Sequence, residues 1–164
     1  LLNEMEGKPI LIAYDFHHDL ERIATLKTSE GKPRYPNGVP YIGGGTSKTR
    51  AKDLEQAWLN GELTELYGHP LSIAHGLNLQ HWGKDFPRHV CWYSLTWDYE
   101  MYDQFIRRVR RRGNKAGRVF VHHILARDTI DEYILGVLYA KRRVKNSLFE
   151  ALQELRTARK KTKR

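Results

Sequence analysis

ILIAYDFHHDLERIATL, residues 10–26, is the stretch whose reading decides the fold. Its first five residues form an unbroken apolar run, the length of a strand and too short for a helix of its own. Ile10 to Tyr14 therefore reads as a buried strand. Asp15 can cap the helix that follows, which runs to about Leu26. Working outward, residues 27–38 (KTSEGKPRYPNG) are rich in Gly, Pro and charge and read as a loop. Val39 to Ile42 reads as a second strand, ended by Gly43, Gly44 and Gly45. Thr46 or Ser47 can cap a helix to about Asn60. Glu65 to Gly68 reads as a short third strand, His89 to Leu95 as a fourth and Arg118 to Leu125 as a fifth. A helix is expected from about Asp98 to Arg112.

The last helix has the clearest signal. Thr129 and Glu132 have capping-box spacing. Ile130, Tyr133, Ile134, Val137, Leu138, Val144, Leu148, Leu152 and Leu155 then follow helical periodicity. A basic segment, RTARKKTKR at 156–164, closes the sequence. Strands alternating with helices of this length imply crossover units and a mostly parallel sheet. In such sheets ligands gather beyond the carboxyl ends of strands, here after Tyr14, Ile42, Gly68, Leu95 and Leu125.

The 164 residues suit one domain, which would bury roughly 70% of the unfolded chain's surface. The formal net charge is +9, which favours a polyanionic partner, nucleic acid before membrane. Many ordinary proteins are equally basic, so charge alone does not decide. No apolar run approaches the ~20 residues that span a bilayer. The single cysteine, Cys91, excludes an intrachain disulfide and fits a reducing interior such as cytoplasm. The sequence opens on Leu1, which suggests a piece of something longer or a processed chain.

Three segments can carry chemistry. In YDQFIRRVRRRGN (102–114), Tyr99, Tyr102, Ile106 and Val109 form an apolar helix face, while Gln104, Arg108 and Arg111 fall on another. Two guanidinium groups a turn apart make a fork for phosphate oxygens and can neutralise charge on a transferring phosphoryl group. A solvated basic face is the plain alternative, and Arg107, Arg110 and Arg112 read that way or as nucleic-acid contacts. In HPLSIAHGLNLQ (69–80), Ser72, His75 and Asn78 offer hydrogen bonds around the permissive Gly76, or simply satisfy their own turn. In YIGGGTSKTR (41–50), glycines let backbone approach a phosphate at a helix start. Lys48, Arg50 and Lys52 crowd that positive dipole end, which a bound phosphate chain would relieve and a solvated face also explains.

No Walker loop occurs in the chain. His122 and His123 would point to opposite faces of a strand, and no partner spacing accompanies them or His17-His18, so no metal site is expected. Trp58, Trp82 and Trp92 read as core or sheet cover, and Trp97 sits at a strand end within reach of a ligand.

In this order the segments resemble the carboxyl-terminal RecA-like lobe of superfamily-two helicases, of the Swi/Snf-type branch and its compact phage-type members. ILIAYDF looks like that lobe's opening strand. IGGGTSKTRAKDLEQAWLNGE is similar to its Gly-rich turn with Arg50 and Trp58 in place. Gly76-Leu77-Asn78-Leu79 resembles the core of its coupling motif, SLTWDYEMYDQFIRRVRRRGN its arginine-finger motif, and residues 129–132 its closing Thr-Ile-Asp-Glu signature. The resemblance covers about residues 8–150. Asn114 stands where the family usually carries Gln, and Arg110 where it carries His.

The resemblance implies a three-layer α/β domain, with a mostly parallel sheet of five or six strands, over residues 1–155, followed by the basic tail 156–164. It implies half of an ATP-driven DNA helicase or translocase, inactive alone, with an amino-terminal RecA-like lobe holding most of the ATP and Mg2+. RNA is the other option for the nucleic acid. The unit would be monomeric, independent of membranes, and in the host cytoplasm if phage-encoded. Arg108 and Arg111, joined by Gln104, would face the ATP phosphates across a cleft at the sheet's edge. Gly76 and Asn78 would lie beside the nucleotide. Gly44, Gly45, Thr46, Arg50, Ser72, His75 and Trp97 would grip the nucleic-acid backbone. A basic nucleic-acid-binding module without ATPase coupling is the competing reading. A metal-dependent nuclease would need clustered carboxylates or histidines.

Overall fold

The computed structural model describes residues 1–5, 7–73 and 76–161, with side chains through residue 154. Five strands form one sheet: β1 (Ile10–Ala13), β2 (Tyr41–Ile42), β3 (Glu65–Gly68), β4 (His89–Trp92) and β5 (Phe120–His123). Their order is β2-β3-β1-β4-β5, and every pairing is parallel. The expected α/β sheet, RecA-like in its arrangement, is the observed one. Strands β1 and β4 pair from Ile10 opposite His89 to Ala13 opposite Trp92, and β1 is buried on both faces. That double burial is why its sequence is a continuous apolar run.

Helix α1 (His17–Ala24) carries the chain from β1 leftward to β2. Helices α2 (Lys48–Asn60), α3 (Pro70–Ile73) and α4 (Tyr99–Val109) serve the three rightward steps. Right-handed crossovers put opposite directions of travel on opposite faces of a sheet. The core divides accordingly. Leu11, Ala13, Leu66, Val90 and Trp92 pack with Leu54 and Trp58 of α2, Ile73 of α3 and Phe105 of α4. Ile10, Ile12, Tyr67 and Cys91 pack with Leu20 and Ile23 of α1. The second face is finished by the loop before β2. There Arg34 and Tyr35 both bond the Glu65 carboxylate, and the Tyr35 and Tyr67 hydroxyls lie 2.7 Å apart.

Gly68 shows how tightly the thick face is built. A Cβ there would stand 2.3 Å from Ile73 and 3.3 Å from Phe105, so glycine lets α3 and α4 settle onto β3. Trp92 stacks on Tyr102 at 5.0 Å and meets Phe105 at 5.2 Å.

Several boundaries differ from expectation. The first helix is not capped by Asp15. Its Asp19 reaches back instead, accepting from the Phe16 and Asp15 amides at 3.0 and 3.4 Å. Strands β2, β4 and β5 are shorter than their apolar runs, because the flanking residues turn out into loops. Ser47 rather than Thr46 caps α2, accepting from the Arg50 amide.

The last helix, α5 (Ile130–Lys161), starts with Thr129 accepting from the Asp131 amide. Asp131, one residue before Glu132, returns the bond to the Ala126 amide. Among the described residues of its apolar series only Ile134 and Leu138 are buried, while Val144 is 71% and Leu148 60% exposed. A helix of 32 residues is about 48 Å long, and strands of four residues span about 13 Å, so α5 outruns the sheet it packs on. Its backbone is helical into the basic segment as far as Lys161. No described helix is long and apolar enough to cross a membrane.

Candidate functional site

Helix α4 owes its direction to the crossover. Asp98 caps it, with Oδ1 accepting from the Glu100 and Met101 amides at 2.7 and 3.2 Å. It then runs antiparallel to the strands, back toward their starts. Its far end is fixed by Asn114, whose Nδ2 donates to Val109 O at 2.9 Å and to Pro87 O at 2.8 Å, just before β4. Arg108 and Arg111 therefore lie near the amino-terminal edge of the sheet, on the outer helical layer. The helix ends at Val109, short of the expected Arg112, so Arg111 stands in the bend just past it.

At that place the arginines meet the segment singled out at 76–79. Arg108 Nη1 is 3.5 Å from Leu77 O, and Arg111 Nη1 donates to Asn78 Oδ1 at 3.1 Å. The Asn78 amide in turn donates to Glu55 Oε1 of α2 at 2.7 Å. Trp58 of α2 is fully buried and donates to Leu79 O at 3.2 Å, which holds the loop from below. Burial, then the like charge of Arg111, hold the Arg108 guanidinium below its ordinary value. Gln104 is half-buried and donates to Glu100 Oε1 one turn back, at 3.1 Å, rather than to either arginine. Gly76 adopts a φ of +89°, which explains a glycine at this bend. His75 lies outside the described residues.

A second group occupies the carboxyl ends of the strands. Gly44 and Gly45 are exposed and leave open space at their Cα atoms, with Gly45 at a φ of +83°. Thr46 is spent on its own turn, accepting from the Gly43 amide and donating to Tyr41 O. The Arg50 side chain is exposed one turn into α2. Ser72 sits half-buried in α3. Trp97 is 48% exposed and packs edge-on against Tyr133 at 5.9 Å, while Lys141 Nζ donates to its carbonyl.

Sequence reasoning missed the polar knot at this edge. It lies where β1 sends its connection to one face and β3 and β4 send theirs to the other, the place where ligands enter such sheets. The Asp15 amide donates to Ser94 Oγ at 2.8 Å, and Ser94 Oγ donates to Asp19 Oδ2 at 2.7 Å. His69 Nε2 lies 3.7 Å from Asp15 Oδ1, and its ring meets Tyr14 edge-on at 5.8 Å. Burial holds the Asp15 carboxyl above its ordinary value against the pull of His69, and Asp19 adds to the rise. Only the general rule about strand ends points here, because the partners are distant in sequence.

The paired histidines separate as a strand requires. His122 Nε2 is 3.0 Å from His89 Nδ1, and on the other face His123 Nε2 is 2.8 Å from the Tyr102 hydroxyl. Among the described residues, no three His, Cys, Asp or Glu side chains group as a metal cage.

No protein-family model matches this chain. The p41 protein of Acyrthosiphon pisum secondary endosymbiont phage 1 is 36% identical over 157 residues, which cover 93% of this chain. The chain spans 30% of the length of that relative. Among solved structures, the C-terminal part of the Fun30 ATPase domain superposes with a TM-score of 0.62 at 16% identity. That likeness covers 81% of this chain and 40% of the other. At this level of identity it speaks for the fold: the chain folds like the C-terminal part of an ATPase domain, an α/β unit of RecA-like type.

Proposed function

We propose that this chain is the second motor lobe of an ATP-driven nucleic-acid helicase or translocase, of the Swi/Snf-type branch and near its phage members. The observation that carries the reading is where the described residues on either side of 74–75 lie in the segment 69–80. The segment begins at His69 beside the strand ends and reaches Asn78 beside Arg111 at the opposite edge. A grip on nucleic acid at one edge and a phosphate contact at the other would then share one stretch of backbone.

Arg108 and Arg111 are the residues that would approach the phosphates of ATP held by an amino-terminal lobe. The side chains present fit that task. Two like charges already repel each other at this spot, and an anion between them relieves the repulsion. Bound ATP would supply the phosphoryl group for transfer to water, with its Mg2+ held by the first lobe. Asn78 would orient Arg111, and Gly76 would give the loop its bend. Gln104 would have to leave Glu100 to join them. Gly44, Gly45, Thr46, Arg50, Ser72, His75 and Trp97 would follow the backbone of DNA, or of RNA. The monomeric state and the cytoplasmic setting belong to the same reading, as does the inactivity of the lobe alone.

Arg111→Ala in the protein carrying both lobes is the test. Nucleic-acid-stimulated ATP hydrolysis should fall by roughly 10³-fold, the scale of an arginine finger. Turnover near that of the unaltered protein would reject the assignment.

A further inference from the structure

Helix α4 carries a second set of cations, turned away from Arg108 and Arg111. It faces α5 across a groove of about 200 Å3. At the floor lies Asp103, its side chain only 12% exposed, with one oxygen shared by two cations. Arg107 Nε and Lys145 Nζ each reach Asp103 Oδ2 at 2.9 Å. Those two cations hold the Asp103 carboxyl below its ordinary value although burial pushes it up. Higher on the walls are Arg110, which caps the end of α4, and Arg142 from α5, both exposed. Among the described residues neither meets a carboxylate within salt-bridge distance. Tyr139 and Phe149, also exposed, stand at the same groove.

We infer that this groove binds the phosphodiester backbone of nucleic acid, at a surface separate from the strand-end loops. Four cations surround a single carboxylate, so the groove is strongly positive. The position of the carboxylate decides what kind of anion it takes. Asp103 at the floor already satisfies Arg107 and Lys145 and repels a small anion that sinks toward it. The unspent charge sits at the rim, on two guanidinium forks from opposite walls, whose shape matches phosphate oxygens. A polymer laid across the rim collects both, which a free ion cannot do. Exposed rings beside the cations give bases a face to stack on, the usual partnership in strand-binding grooves. The inference needs no nucleotide, so it stands or falls separately from the motor reading.

The experiment measures binding of this chain to a fluorescein-labelled DNA single strand by anisotropy, between about 50 and 200 mM salt. Arg110→Ala/Arg142→Ala should weaken binding and shrink the log–log salt slope by about 1.4, and Arg142→Ala alone by about 0.7. Both residues are exposed, so the thermal midpoint should not move. Lys84→Ala/Lys115→Ala removes the same charge outside the groove and should leave the slope unchanged. An equal drop in that control would show bulk charge only and overturn the inference. So would displacement by inorganic phosphate at low millimolar concentration, or displacement by polyglutamate as readily as by unlabelled DNA.

Discussion

Arg111 Nη1 donates to Asn78 Oδ1 across 3.1 Å, which ties the end of α4 to a loop 33 residues earlier in the chain. The bond is exposed, so its weight in folding is small, and its weight in the proposed motor is larger. If Asn78 acts by aiming Arg111, the two cannot contribute independently. Asn78→Ala should lower nucleic-acid-stimulated hydrolysis in the two-lobe protein by roughly 10- to 100-fold. Added to Arg111→Ala it should cost little more. A double-mutant cycle on kcat should then give a coupling of about 1–3 kcal/mol. Strict additivity would show that the two residues work apart.

Gly43 ends β2 under the ring of Tyr14. A Cβ at this position would stand 1.8 Å from the Tyr14 hydroxyl and 3.0 Å from the ring carbon that bears it. The ring is buried and rigid, so it cannot simply swing aside. Gly43→Ala should destabilise the fold by about 1–3 kcal/mol in urea unfolding, as overpacking does. Tyr14→Phe removes the nearer atom and should recover part of that loss when combined with it. No recovery in the double variant would place the strain elsewhere.

Trp58 fills the core under the 76–79 loop and donates to Leu79 O. Trp58→Phe keeps an aromatic ring there and strands the carbonyl. The loss should be about 1–3 kcal/mol from the unmet acceptor together with a smaller packing deficit. Amide exchange should speed up in residues 77–79 more than in β1. Uniform acceleration across the sheet would mean that Trp58 serves packing alone.

His123 lies against Tyr102 between the sheet and α5. Burial, then His122, hold its imidazole below the ordinary value of 6.5, and burial with His122 does the same to His89. The folded state keeps these rings neutral while the unfolded chain takes up protons. Their contribution to stability is therefore complete above the unfolded value. It drains away as pH falls through that value toward the folded one. The urea midpoint should drop between about pH 7.5 and pH 5.5, and His123→Leu should flatten that drop. A variant with an unchanged pH slope would remove His123 from the account.

Much of the fold is legible in the residues themselves. Ile10 to Ala13 and Glu65 to Gly68 announce strands through unbroken or bounded apolar runs. Ser47 and Asp98 announce helix starts. The four-residue helix after β3 escapes periodicity, although Pro70 at its first position is a signal that could have found it. The exposed length of α5 escapes for a different reason. Val144, Leu148 and Leu152 have the spacing of a buried face, and spacing carries no information about how far the sheet beneath extends. Of the site, the identity of Arg108 and Arg111 is readable, though not from one helix face, because α4 ends at Val109 and Arg111 lies past it. Their location is not readable from the helix alone. It follows from the parallel pairing of β4 and β5, which makes the crossover return the helix end to the start of the strands. Beyond the rule about strand ends, the sequence carries no sign of the Asp15–Ser94–Asp19 knot, because its bonds join residues 75 and 79 positions apart.

The locks at the two ends of α4 have a mechanical meaning. Asp98 keeps its first turn wound, and Asn114 bolts its last carbonyl to the approach of β4, so the carboxyl end of the helix is tied to the sheet. The arginine tips can swivel, but their bases cannot travel. Anything they reach for beyond the length of a side chain must be met by moving the whole block of sheet and helices at once. Local give at the end of this helix would waste such a stroke, and the Asn114 anchor removes it.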